Sequence, residues 1–301
     1  MKPDNPIAAS GSLIERASVL YDFESMLRAP TTATARDVPS AREDIVVPDL
    51  AVQPRAARTP AVVDLANLQQ KGLIQPGAAP TILSEEFRLV KRQLLLSAFG
   101  GKKMAAVEGA RAILMCSSQP NEGKTFCSVN LALSMASESD IEVLLIDADV
   151  AKPEILSVLG VEGGSGLMDA ISDPEVDVES LIIPTSIPSL SILPAGRQTH
   201  SDTEKLASAR TRLVIDSLLA ANPARILVID TAPVLVASPA SVLATHVGQI
   251  LMVVRADRTG ESELREAVQL LDGCKHIQML LNGASYAGAN QKYGTYYGHG
   301  G

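Results

Sequence analysis

No apolar run in this 301-residue sequence approaches the roughly eighteen residues that a membrane-spanning helix needs, and the polar N-terminus carries no secretory signal. A cytoplasmic protein is predicted, with any attachment to a membrane made through a partner. Cysteine is scarce: Cys116, Cys127 and Cys274 form no C-x-x-C pair, which excludes a disulfide framework or a thiolate metal site and suits a reducing compartment. Basic residues are not in excess, and a formal charge of −8 argues against a nucleic-acid-binding surface. Aromatic residues are few. Four of the five tyrosines, Tyr286, Tyr293, Tyr296 and Tyr297, crowd into the glycine-rich stretch that ends the chain. What the sequence does have is 46% hydrophobic residues, enough for a substantial core in one large domain or two small ones.

The most informative stretch is Ser118-Gln119-Pro120-Asn121-Glu122-Gly123-Lys124-Thr125. An apolar run, Ala112 to Cys116, precedes it, and a helix-like pattern from Phe126 to Ser137 follows. Strand, loop and helix in that order are the context a phosphate-binding loop requires. Backbone N–H groups of the loop and the helix N-terminus surround phosphates, Lys124 reaches the terminal ones, and the Thr125 hydroxyl is offered to Mg²⁺. Ser118 stands where a first glycine is usual. Asn121 also replaces a frequent glycine, and asparagine visits left-handed backbone conformations at low cost.

Residues 1–80 hold nine of the eighteen prolines and three of the twenty-one glycines, and read mostly as a disordered arm. Within it, 12–27 has near-helical apolar spacing and is either a small docking helix or a transient one. A short apolar patch, Val62 to Leu73, is placed along the domain surface. A helix beginning at Ser84 opens the predicted domain, 81–284. Its Glu85, Arg88 and Lys91 fall at i, i+3 and i+6, a charged stripe that reads as a solvated face or as a bridge to a neighbouring subunit.

After the loop helix, the apolar run Ile141 to Ile146 ends in Asp147-Ala148-Asp149, and Arg225 to Ile229 ends in Asp230. Such runs suit parallel strands covered on both faces. Ligands collect at the carboxyl ends of those strands, so the three acids are expected near the phosphates. Buried strands Gln249 to Val254 and Ile277 to Leu281 follow, with helices near Thr203 to Ala220, Pro239 to Thr245 and Gly260 to Leu271. The alternation predicts an α/β fold: a P-loop NTPase-type, doubly wound, mostly parallel sheet with helices on both faces. Beyond it, 285–301 is too glycine-rich to pack and reads as a flexible tail, either low-complexity or a row of offered phenols.

Together the loop, Asp147, Asp149, Asp230 and the tyrosine cluster resemble the bacterial tyrosine kinases of capsule and exopolysaccharide synthesis, over 82–301. The resembling motifs are Leu144 to Val150 with Lys152-Pro153, Val228 to Pro233, Glu85-Glu86-Phe87-Arg88 and Leu193 to Gly196. Ser12 to Ala17, Asp149-Val150-Ala151 and Leu271 to Lys275 look most like the autokinases that accompany exosortase-type systems. The resemblance implies an ATP- and Mg²⁺-dependent tyrosine autokinase that regulates polysaccharide polymerisation or export, with Tyr286, Tyr293, Tyr296 and Tyr297 as acceptors. Its implied nucleotide contacts are Ser118, Asn121 to Phe126 and Asn282, the last toward adenine. Thr125, Asp147 and Asp230 are the implied metal ligands, and Asp149 is the first candidate for the base, exchangeable with Asp147. It also implies a ring of subunits joined through Glu85, Arg88 and Lys91, where Lys91 replaces an arginine, a membrane copolymerase or chain-length partner and a cognate tyrosine phosphatase. The competing expectation is a partition or division-site ATPase switch without kinase activity. That class carries a signature lysine at the second loop position, where this chain has Gln119, and lacks a tyrosine tail.

Overall fold

Long apolar runs become strands here because both faces of the sheet are covered. The fold is that of a computed structural model describing residues 59–102 and 104–284; the predicted helix at 12–27 and the tyrosine-bearing stretch 285–301 lie outside the described residues. In chain order, α1 (Leu65–Gln70) and α2 (Ile82–Phe99) lead to β1 (Ala112–Ser117), α3 (Lys124–Met135) and β2 (Glu142–Asp147). Then come α4 (Ile155–Leu159), α5 (Leu167–Ser172), β3 (Ile183–Pro184), β4 (Leu190–Leu193), α6 (Asp202–Leu206) and α7 (Ala209–Ala221). The last elements are β5 (Arg225–Asp230), α8 (Pro239–Leu243), β6 (Gln249–Arg255), α9 (Glu261–Gln269) and β7 (Ile277–Asn282).

The strands form a seven-stranded sheet in the order β3-β4-β2-β5-β1-β6-β7. All neighbours are parallel except the short β3, which is antiparallel to β4. Every residue of β1 and β5 is buried, as a doubly covered parallel strand requires. One face packs on α5, α7, α8 and α9. The other packs on α1, α2, α3 and α4. Register sets the position of the chemistry: Asp147 lies opposite Asp230 across β2 and β5, and Met115 lies opposite Asp230 across β1 and β5. Two acids and the start of the phosphate loop therefore share one sheet edge. No described helix is long and apolar enough to cross a membrane.

Three expectations are corrected. The domain starts before residue 81, because 59–80 form a strap on the α3 face in which Leu68 is fully buried and Val63 and Leu73 nearly so. The strap is tied down at several points. Ala61 N donates to Pro184 O at 2.8 Å, Asp64 N to Leu159 O at 3.0 Å and Ile74 N to Asn130 Oδ1 at 2.8 Å. Asn67 Nδ2 donates to Ser157 O and Val158 O at 3.1 and 2.9 Å, satisfying carbonyls at the end of α4. The cap of α2 is Thr81 rather than Ser84: Thr81 Oγ1 accepts from Ser84 N while Ser84 Oγ accepts from Thr81 N, a reciprocal capping box. Finally, β7 is an edge strand, with Met279 and Leu281 58% and 51% exposed, because only β6 flanks it in the sheet.

If the strap is an integral part of the core, Leu68→Ala lowers the unfolding free energy by about 2–5 kcal/mol, as truncation of a buried leucine does. Urea denaturation reads this directly; an unchanged midpoint would mean that the strap is a detachable arm.

Candidate active site

The loop after β1 is shaped by backbone conformation before any side chain acts. Asn121 has φ 63° and Gly123 has φ 91°, so the two left-handed turns fall on an asparagine and a glycine. Gly123 is also the N-cap of α3 and no side chain caps it, which leaves N–H groups of the first turn for a ligand. A Cβ at Gly123 would meet Asn282 Nδ2 at 2.1 Å. That amide instead donates to Glu122 O at 2.8 Å, binding the end of β7 to the loop. Glu122 itself is buried: its carboxylate accepts from Gln119 N at 2.9 Å and from the Thr259 hydroxyl in the turn after β6. Ser118 is fully buried, and its Oγ has no hydrogen-bond partner among the described residues.

The acids converge on Lys124. Asp230 Oδ1 accepts from Lys124 Nζ at 2.9 Å and from Ser128 Oγ at 2.8 Å, while Oδ2 accepts from Thr125 Oγ1 at 2.7 Å. Asp149 Oδ2 lies 3.7 Å from the same ammonium. Burial raises the Asp149 pKa above the ordinary carboxylate value, opposed by Lys124 and by the Lys152 N–H. Asp147 is more deeply placed. Its Oδ1 accepts from Asp149 N at 3.2 Å and its Oδ2 from Ile155 N at 3.1 Å, so it pins the turn that carries Asp149. Burial pushes its pKa to about 7, with Asp230 adding to the rise and the two N–H donors and Lys124 opposing it.

These groups open on a cleft of about 610 Å³ lined by Asn121, Lys124, Thr125, Phe126, Asp149 and Pro233, among others. A cleft of that size accommodates a nucleotide. Its donors also suit Mg²⁺: Thr125 and Asp230 supply hard oxygens beside the loop. No cluster of three or more His, Cys, Asp or Glu able to cage a metal occurs among the described residues. The three thiols are free and buried, and burial raises the pKa of each, that of Cys127 to about 12.

Other predicted site residues lie apart from the cleft. Glu85 and Arg88 pair with each other on the exposed face of α2. Lys91 departs from the predicted stripe: it is buried, donates to Ser134 O at 2.8 Å and Ser137 Oγ at 2.9 Å, and pairs with Glu138 at 2.6 Å. Its charge is spent on the C-terminal end of α3, whose carbonyls need donors. The tyrosines at 286, 293, 296 and 297 lie outside the described residues. Three residues of the site went unread in the sequence: Ser128 on Asp230, Thr259 on Glu122, and Lys71, which the strap brings to the cleft. Only Ser128 has a local signal, one helical turn after Lys124.

No protein-family profile matches the sequence. Among curated proteins, CapB of Staphylococcus aureus is 28% identical over 218 residues, covering 72% of this chain and 90% of CapB. The tyrosine-protein kinase Wzc of Salmonella typhimurium is 30% identical over 236 residues, covering 77% of this chain and 31% of Wzc. The chain spans 25% of the length of EpsB of Ralstonia nicotianae, to which it is 28% identical. Among solved structures, the VpsO kinase domain superposes with a TM-score of 0.55 at 27% identity, covering 67% of this chain and 96% of that domain. With the loop, the acids and the sheet order in place, the chain is similar over most of its length to proteins named as bacterial tyrosine-protein kinases.

Proposed function

We propose that the protein is an ATP-dependent tyrosine autokinase that transfers the γ-phosphoryl group to Tyr286, Tyr293, Tyr296 or Tyr297, and that this modification regulates exopolysaccharide polymerisation or export. The observation that carries the reading is the convergence of buried Asp230 and of Asp149 on Lys124 beside Thr125, with Lys124, Thr125 and Asp149 lining one cleft.

Phosphoryl transfer asks a protein for position and charge rather than covalent chemistry. The Lys124 ammonium, parked on Asp230 in this structure, turns toward the β- and γ-phosphate oxygens when the nucleotide enters. There it offsets the charge that gathers on the leaving oxygen. Thr125 and Asp230 would hold Mg²⁺, which would supply further neutralisation of the phosphate charge. A tyrosine phenol has a pKa near 10 and arrives protonated. Asp149, set near Lys124 but not hydrogen-bonded to it, takes that proton as the phenol oxygen bonds to phosphorus and the bond to the bridging oxygen of ADP breaks. Asp147 acts through Asp149 by fixing its turn. Asn282 has spent its amide nitrogen on Glu122 O, which leaves Oδ1 for the exocyclic amine of adenine.

The same proposal includes a homo-oligomeric ring through the exposed Glu85–Arg88 face and autophosphorylation between subunits. It also includes a membrane copolymerase partner that keeps the protein at the cytoplasmic face of the inner membrane, and a phosphatase that resets the tail. The exosortase-associated branch is the assignment supported by the sequence motifs at Asp149-Val150-Ala151 and Leu271 to Lys275.

With purified protein, ATP and Mg²⁺, mass mapping of the C-terminal peptide is expected to show phosphotyrosine. Lys124→Met is expected to cut the initial rate by about 10²–10³-fold, as loss of a group that stabilises transition-state charge does. Labelling of serine, or of no residue, would remove the kinase reading. Asp149→Asn lowers the transfer rate by roughly 10²-fold or more while ATP affinity, read by equilibrium titration, stays near wild type. Because the base works deprotonated and burial raises its pKa, the wild-type rate climbs with pH along an acid limb above the ordinary carboxylate value near 4. A rate already flat from pH 4 upward would exclude Asp149 as the base.

A further inference from the structure

Three lysines line the cleft, and two of them are already neutralised. Lys124 is held by Asp230 at 2.9 Å, and Lys152 pairs with Glu154 at 2.8 Å. Lys71 forms no ion pair among the described residues and is exposed at the rim. The acids in and around the cleft are Asp147, Asp149, Asp230, Glu122 and Glu154. A nucleotide carrying several negative charges therefore enters a site whose own cations are largely spent. One uncommitted ammonium facing that space has a strong electrostatic reason to meet the phosphates.

The strap holds Lys71 in place at its backbone. Lys71 N donates to Asn67 O at 3.0 Å, closing α1, and Asn67 is the residue whose amide grips the end of α4. Two residues on, Leu73 is buried and lines the cleft as well. Ile74 N then binds Asn130 on α3, the helix that begins at the phosphate loop. Anchors on both sides of Lys71 fix the start of its side chain to the same helices that frame the loop and the Asp149 turn.

We propose that Lys71 is a positioning residue for the phosphoryl group in transit, binding the terminal phosphate of ATP before transfer and the same group on tyrosine afterwards. The first half needs only nucleotide binding; the second rests on the kinase reading above. Lys71→Met and Lys71→Arg are compared with wild type by equilibrium titration with fluorescent ATP and ADP analogues in Mg²⁺, and by phenyl phosphate binding in the presence of Mg-ADP. Loss of one charge-assisted contact is expected to weaken ATP about tenfold relative to ADP in Lys71→Met, with recovery in Lys71→Arg and an unchanged Tm. Weakened phenyl phosphate binding with ATP affinity retained would support the product-side contact alone. The proposal is overturned if neither ligand changes more than about twofold, or if ATP and ADP weaken equally, since a single lost contact to the terminal phosphate spares ADP. Wild-type protein that binds ATP yet labels no tyrosine would defeat the kinase reading while leaving the ATP-against-ADP comparison to decide on Lys71.

Discussion

The ammonium of Lys124 is almost completely out of water, at 7% exposure, and a buried charge persists only where it is paired and hydrogen-bonded. Its partner, Asp230, is buried too and also accepts from Thr125 and Ser128. The cluster can exist because parallel pairing brings the end of β5 beside the starts of the loops after β1 and β2. Moving a strand by one residue would turn Asp230 to the other face of the sheet and leave the lysine without a counter-charge. Fold and chemistry thus share one requirement, the register of β2, β5 and β1.

Around that centre, the phosphate loop is held from outside its own sequence. Asn282 binds it from the end of β7, Thr259 from the turn after β6, and Glu122 converts both contacts into a fixed loop shape. A carboxylate buried in a loop meant for anions is costly unless its lone pairs are occupied, and here N–H and O–H donors occupy them. On the opposite side, Lys91 closes the C-terminal end of α3, the helix that carries Lys124, while the N-terminal end stays open toward the cleft.

The sheet and the meeting of Lys124, Asp149 and Asp230 were legible in the sequence because each rests on a local pattern. Apolar runs announce doubly covered strands, and an acid at the end of such a run has only one edge to occupy. The strap was legible only in part: its apolar patch, Val62 to Leu73, read as lying along the domain surface, but not as part of the core. Its proline-rich composition resembles a linker, and it is secured by Asn67 and Asp64 acting on carbonyls some ninety residues later in the chain, which no local period encodes. Lys91 was misread for a related reason: helical spacing put it on a line with Glu85 and Arg88, but the end of α3 lies between it and solvent. β7 looked buried because its apolar content is high, and exposure at Met279 and Leu281 follows from strand order, which composition does not show.

Asp230 holds both Lys124 and Thr125 beside the phosphate loop, which makes it the residue whose loss most disturbs the proposed nucleotide site. Titrating ATP into wild type and Asp230→Asn, with and without Mg²⁺, tests it most directly. Mg²⁺ is expected to tighten ATP binding to the wild type, and the variant to lose this tightening while remaining folded. An identical dependence on Mg²⁺ in both proteins would contradict it.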